Sequence, residues 1–249
     1  MVEGPTDAEI LSELLAAAVA FFPVAGRVNV LRVADRLGQD YIHGVVCVAD
    51  ADFDDEAVER AEQWFLVFTD NADIEAMCYL SPALERILAA WGSRDKLTAF
   101  GGTPGVRAAV ADVLQPISVL RRGGFAASVP IRFDEVSLHD VIARDGLSLN
   151  VVGLVDRLAR ASSLDQSVIN GLLGGDPPTC VSTGQLLLRG KDCLMVVDIA
   201  LRKEVGSLAL GQVKDGLALR SIILAVREAD FAATLFSHRL GDALARALT

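Results

Sequence analysis

The chain has 249 residues, enough to bury a substantial core as one large domain or two small ones. With 52% hydrophobic and 22% charged residues, its composition is globular and excludes a disordered chain. A net charge of −10 argues against passive, sequence-independent binding to nucleic acid. The acidity is uneven: residues 1–80 hold 4 Lys+Arg against 16 Asp+Glu, a net of −12, and the remainder holds 19 against 17.

In chain order, TDAEILSELLAAAV (6–19) has an apolar stripe at helical spacing, with Thr6 placed to N-cap and Glu9 three residues on. The acidic start, with Glu3, Asp7, Glu9 and Glu13, lacks the basic region of a secretory signal. LLAAAVAFFPVAG, broken by Pro23, is too short to span a bilayer and reads as a buried helix. RVNVLRV (27–33) alternates and is rich in valine, which predicts a strand. GVVCVAD (44–50) is a continuous apolar run, as in parallel strands buried on both faces. A short acidic-started helix follows over 54–63, then another buried strand, WFLVFTD (64–70). DIEAMCYLSPALERILAAW (73–91) predicts a helix with a kink at Pro82. Strand and helix alternate, so residues 1–91 predict an α/β domain with a mainly parallel sheet. Its first strand has only Met1-Val2-Glu3 to form it: either the natural start lies upstream, or the strand is vestigial and Glu3 loosely held.

Beyond residue 91 helices dominate, at 105–120, 150–162, 163–173, 190–204 and 226–248, with short strands expected at SVPIRF (128–133) and SLALG (207–211). AFGGTPG (99–105) and GLLGGDPPT (171–179) read as loops. The expected organisation is an α/β domain over 1–91 with a mostly helical lobe, 92–249, packed on it. In the terminal helix Phe231, Leu235, Phe236 and Leu240 form a stripe that packs on the body or on a partner. Cys47, Cys78, Cys180 and Cys193 show no CxxC pair and no zinc-ligand spacing, and Cys47 and Cys78, within apolar runs, read as reduced core thiols, which favours a cytoplasmic protein. His43, His139 and His238 are scattered and read as structural.

Ligands of parallel α/β sheets bind beyond the carboxyl ends of the strands. Three acidic groups fall at such ends: Glu3, then DADFDD with Asp50, Asp52, Asp54 and Asp55, then TDNADIE with Asp70, Asp73 and Glu75. Asp50 and Asp52, two apart on an extended segment, would face the same way and reach one ion. Asp54 or Asp55 suits the start of the following helix, and Asp70 and Asp73 are candidate caps. Oxygen ligands with little histidine point to Mg²⁺ or Mn²⁺. The competing reading is a solvated acidic turn. Arg121-Arg122 is the best local basic point for phosphate contact.

VEGPTDAEIL (2–11), VADADFDD and VFTDNADIE together resemble the TOPRIM domain, and TDNADIEAMCY with GKDCLMVVDIAL (190–201) is similar to its OLD-like nuclease branch. That branch includes the TOPRIM effector of PARIS-type anti-phage systems. The resemblance implies Glu3 as metal ligand or general acid/base, Asp50 and Asp52 as metal ligands, and Glu75 serving a second ion; Asp54 is a further candidate metal ligand. It implies that Lys191 offsets charge on the scissile phosphate; the rival reading is an exposed lysine at a helix start. The function implied is Mg²⁺- or Mn²⁺-dependent cleavage of DNA or structured RNA such as tRNA, under control of an ABC-type ATPase partner, and it admits a homodimer. Two rivals remain: a catalytically degraded binding module, favoured by the short first strand, and a haloacid-dehalogenase-like phosphotransfer enzyme with Asp50 as nucleophile.

Overall fold

The computed structural model describes residues 1–15, 19–40, 42–60, 62–143, 146–180, 183–213 and 216–248. Two parallel strands, β1 (Cys47–Ala49) and β2 (Leu66–Phe68), pair with Cys47 opposite Leu66. Backbone hydrogen bonds extend this sheet. The Met1 amino group donates to Val46 O at 2.7 Å, and the Val48 N–H donates to Met1 O at 2.9 Å. On its other side Val2 bridges Pro23 in parallel, through Val2 N–H to Phe22 O (3.1 Å) and Val24 N–H to Val2 O (3.0 Å). The order across is therefore 22–24, 1–3, 46–49, 66–68. The abbreviated first segment lies inside the sheet and is held from both sides.

The two faces of the sheet are covered differently. Cys47, Ala49, Leu66 and Phe68 pack on Val30, Leu31, Ala34 and Leu37, while Val46, Val48 and Val67 join the main core. That is the period-2 alternation of a pleated strand buried on both sides. The main core also takes in Ile10, Leu11 and Leu14 of α1 (Pro5–Leu14).

The segment expected as a strand at 27–33 is helical, forming the start of α2 (Arg27–Asp40). Its buried residues, Val30, Leu31, Ala34 and Leu37, recur at helical spacing, and Val28 is exposed. Seven residues were too short a window: Ala34 and Leu37, beyond it, reveal the longer period. The first helix is also capped differently. Gly4 is the N-cap, Pro5 takes the first helical position, and Asp7 accepts the Gly4 N–H at 2.7 Å, so Thr6 and Glu9 are not the capping pair. Residues 16–18 of that predicted helix, and residue 61 of the one at 54–63, lie outside the described residues; the latter is reduced to α3 (Glu56–Glu59).

At Ser81-Pro82 the predicted kink is a full break between α4 (Ile74–Leu80) and α5 (Ala83–Trp91). Arg107 closes the end of α4 by donating to Leu80 O (3.0 Å) and Ser81 O (2.8 Å). α6 (Arg94–Ala99), α7 (Gly102–Ala126), α8 (Val151–Ser162), α9 (Gln166–Leu173) and α10 (Gly190–Arg202) follow. The strands expected at 128–133 and 207–211 do not form. The Val129 N–H returns to Gly124 O at 2.8 Å and the Leu208 N–H to Leu201 O at 3.1 Å, so both segments cap the preceding helix instead of pairing. α11 (Leu210–Val213) and α12 (Leu217–Ala225) lead to the last segment, which splits into α13 (Glu228–Phe231) and α14 (Leu235–Ala247). There Phe231, Phe236 and Leu240 are buried and Leu235 is exposed. Ile74, Leu84, Val110, Leu194, Ile222 and Phe236 share one core with Val2 and Ile10. The fold is thus mixed α/β, with a small parallel sheet and a predominance of helix. Among the described residues no helix is long and apolar enough to cross a membrane.

Candidate acidic site

The sheet brings Glu3 and Asp50 to adjacent strand ends, where the Asp50 N–H donates to Glu3 Oε1 at 2.8 Å. Asp7 joins them from the first turn of α1, and Asp73 and Glu75 from the start of α4; Asp7, Asp73 and Glu75 are all buried. Carboxyl groups gathered out of water resist ionisation, because burial and mutual repulsion both disfavour the charge. Burial pushes Asp50 up to about 10, reinforced by Asp73, Glu3, Asp7 and Asp52. Glu3 is pushed up to about 7, chiefly by burial, against the hydrogen bond from Asp50 N–H. Burial raises Asp7 as well, with Glu75 adding to it, and raises Asp73, which faces Glu75.

Much of the compensation comes from residues 189–192. Asp73 caps α4, accepting the Ala76 N–H at 2.7 Å, and also accepts the Gly190 N–H at 2.9 and 3.1 Å. One carboxyl therefore ties down two helix starts. Gly190 is required by contact: a Cβ there would lie 2.1 Å from Ala76 N and 2.3 Å from Glu75 C. Lys191 Nζ lies 3.4 Å from Glu75 Oε1, with the lysine side chain about half exposed. Asp192 is buried and accepts from Arg121 Nε (3.1 Å) and Nη2 (2.8 Å), with Arg189 3.9 Å away. The Gly-Lys-Asp run of the sequence is thus one docking device, each residue meeting a different member of the site.

The DxD turn departs from expectation. The strand ends at Ala49, and Asp52 adopts a left-handed backbone (φ 50°) with its N–H donated to Ala72 O at 2.8 Å. Asp50 and Asp52 are therefore not two steps along one extended segment, and the shared direction expected of them is lost. Aspartate is among the residues that tolerate this conformation. The half-exposed Asp52 side chain lies 3.4 Å from Arg27. Asp54 is engaged by Arg27 at 2.8 and 2.9 Å and accepts the Glu56 N–H at 3.0 Å, while Asp55 meets Arg122 at 2.8 Å. Arg27 also donates to Asp50 O at 2.8 Å, so one guanidinium spans the whole turn. Asp70, for its part, accepts the Phe236 N–H at 2.8 Å, anchoring the start of α14.

Beside this turn opens a cleft of about 500 Å³ that Arg27, Arg121 and Arg189 line together with Asp52, Phe125 and Phe133. Its three guanidinium groups suit a phosphate, and Arg121 is further held over the Phe133 ring at 4.2 Å. The donors are hard oxygens, as Mg²⁺ prefers, and their repulsion is what a cation would relieve. Among the described residues no three His, Cys, Asp or Glu side chains are grouped closely enough to hold an ion by themselves. Mg²⁺ commonly binds through one or two carboxylates and completes its shell with water and substrate phosphate, so the pair Glu3 and Asp50 fits that mode.

Arg27, Asp7, Arg189 and Asp192 are participants that the sequence did not single out. Arg27 was hidden by its assignment to a strand, where it would have pointed elsewhere; Asp7 stands in the VEGPTD turn and was visible there as an acidic residue close to Glu3. No protein-family model, curated protein or solved structure matches the chain.

Proposed function

We propose that the chain is a metal-dependent nuclease, hydrolysing a phosphodiester held between the acidic strand ends and the arginine-lined cleft. The observation that carries this reading is the pair Glu3 and Asp50, adjacent at the carboxyl ends of neighbouring parallel segments and joined through the Asp50 N–H. Mg²⁺ or Mn²⁺ held by Glu3 and Asp50, with Asp52 at the rim, would supply Lewis-acid polarisation of the phosphodiester. Arg27, Arg121 and Arg189 would bind the phosphate and balance charge that develops on it. Glu3 is oriented by the Asp50 N–H on Oε1, which leaves its other oxygen to accept the proton of an attacking water. Lys191 enters as the counter-charge of Glu75, a positioning role in place of phosphate contact. Cleavage of DNA or structured RNA, a place in anti-phage defence and control by an ABC-type ATPase rest on the resemblance of the VEG, DxD and Gly-Lys-Asp runs.

One observation favours a second reading, a catalytically degraded binding module. Asp54 and Glu75, two of the candidate metal ligands, are each engaged by a cation, Arg27 and Lys191. Calorimetry with Mg²⁺ and Mn²⁺, wild type beside Asp50→Ala/Asp52→Ala, run with cleavage assays on plasmid and tRNA, separates the two. Metal binding and cleavage, both lost in the double variant, support the nuclease. Absence of metal binding at millimolar concentration leaves the binding module.

A further inference from the structure

Two of the three guanidinium groups in the arginine-lined cleft are already engaged. Arg27 is taken up by Asp54 and the Asp50 carbonyl, and Arg121 by Asp192 and the Phe133 ring. Arg189 is the available one. Among the described residues its closest carboxylate is Asp192, at 3.9 Å and beyond hydrogen-bond reach, and its side chain is 40% exposed. The same cleft is lined by an aromatic ring that the protein leaves uncovered. Phe125 is 58% exposed and packs in neither hydrophobic core, and among the described residues no ring or guanidinium stacks on it. Its place is nevertheless fixed. It stands in the last turn of α7, four residues after Arg121 and so beside it on one face of the helix. That helix end is closed by the Ser128 N–H to Phe125 O (3.0 Å) and the Val129 N–H to Gly124 O (2.8 Å), and Ile131 packs 3.0 Å from where a Gly124 Cβ would stand. Arg121 and Arg189 both face Asp192, so Phe125, Arg121 and Arg189 form a connected run along the cleft.

We infer that Phe125 is a stacking platform for an unpaired base whose phosphate Arg189 holds, which makes the substrate class nucleic acid with unpaired nucleotides and not continuous duplex. The inference deepens the nuclease reading and rests on it for the reaction, while binding tests it separately. An exposed ring adds nothing to the capture of a bare phosphate, whereas an unpaired nucleotide brings a phosphate for the guanidinium and a flat face for the ring. In a duplex each base is covered by its neighbours and would have to be unstacked before it could reach Phe125. The acidic part of the lining leaves Arg189 to the phosphate: Asp52 and Asp54 are met by Arg27, and Asp134 is exposed to solvent. Stacking of this kind tolerates any base, so the platform selects strandedness and not sequence.

The test is binding of the full chain in EDTA, so that nothing is cut, to fluorescein-labelled oligothymidylate of about twelve nucleotides, to the same strand made of abasic residues, and to a duplex of equal length. Anisotropy should show the single strand bound at least tenfold more tightly than either of the others. Phe125→Ala should weaken the single strand by about fivefold to a hundredfold, the range for losing one stacked base, and leave the abasic strand unchanged. Phe125→Trp should keep the preference, and Arg189→Gln should weaken the single strand and the abasic strand by the same factor. Phe125 is a surface residue, so its alanine variant should melt with the wild type, and a loss of binding then reads as lost stacking. A single strand that does not bind, or binds no better than the duplex or the abasic strand, overturns the platform, as does a preference unchanged in Phe125→Ala or single-strand binding untouched by Arg189→Gln. A preference that Phe125→Ala removes, with no metal-dependent cleavage of any strand, would instead count against the nuclease reading and leave the platform standing.

Discussion

Asp73 and Gly190 stand 117 residues apart, yet the Gly190 N–H lies 2.9 and 3.1 Å from the two Asp73 carboxyl oxygens. This contact joins the start of α10 to the start of α4 and so sets Lys191 and Asp192 against the acidic site. It depends on the missing side chain, since a Cβ at 190 would sit 2.5 Å from Asp73 Oδ1 and closer still to the α4 backbone. Gly190→Ala is expected to cost at least the upper end of the roughly 1–3 kcal/mol of core overpacking, because backbone cannot swing aside. Urea unfolding of the two proteins measures it, and a loss under about 0.5 kcal/mol, the scatter of a surface change, would refute the contact.

The raised carboxyls make stability fall as pH rises. Glu3 and Asp50 bind protons more tightly folded than at their ordinary values of 4.5 and 3.8. Their contribution is complete below those values, is lost for Glu3 as pH passes about 7, and for Asp50 continues to be lost up to about 10. Asp198, raised to about 6 by burial while it accepts the Ala218 N–H, adds to the decline in the lower part of the range. In EDTA the melting temperature should therefore drop steadily from pH 5 to pH 8.5. Millimolar Mg²⁺ should restore it at the alkaline end, where the cation replaces protons. A melting temperature flat across this range would contradict the clustered, desolvated acids.

The fold was legible where a pattern is local. The apolar runs around Val48 and Val67 form the strands, Asp73 caps its helix as its position suggested, and acidic residues meet at the strand ends as the alternation of elements required. What escaped depends on residues distant in sequence. Arg27 organises the DxD turn only because 27–40 is a helix that presents it there, and its valine alternation concealed this. The left-handed bend at Asp52 answers to the Ala72 carbonyl, twenty residues on. The segments 128–133 and 207–211 have strand-like composition, but the preceding helix ends claim the Val129 and Leu208 N–H groups.

Asp50→Asn separates stability from function by opposite signs. The amide keeps the shape of the side chain and is neutral without the proton that Asp50, crowded by Asp73, Glu3, Asp7 and Asp52, must take up on folding at this pH. At pH 8.5 in EDTA the variant should melt at least about 2 °C above wild type, the shift that ~1 kcal/mol produces in a chain of this size. Its calorimetric response to Mg²⁺ should vanish. A variant that melts lower would mean that the Asp50 carboxyl makes a stabilising contact of its own.

The buried pair Arg121 and Asp192 should behave as a unit. Arg121 reaches the carboxylate with two nitrogens, at 3.1 and 2.8 Å, and both side chains are largely withdrawn from water. Among the described residues Arg121→Met leaves Asp192 with the more distant Arg189, and removing one partner of such a pair costs about 3–5 kcal/mol. Replacing both, Arg121→Met with Asp192→Leu, removes the stranded charge, so the double variant should lose clearly less than the sum of the singles. Chemical denaturation of all four proteins closes the cycle. Additive losses would show that each residue acts alone. The coupled result would mean that the pair adds a specific tie between α7 and α10, on which two of the arginines lining the cleft, Arg121 and Arg189, are placed.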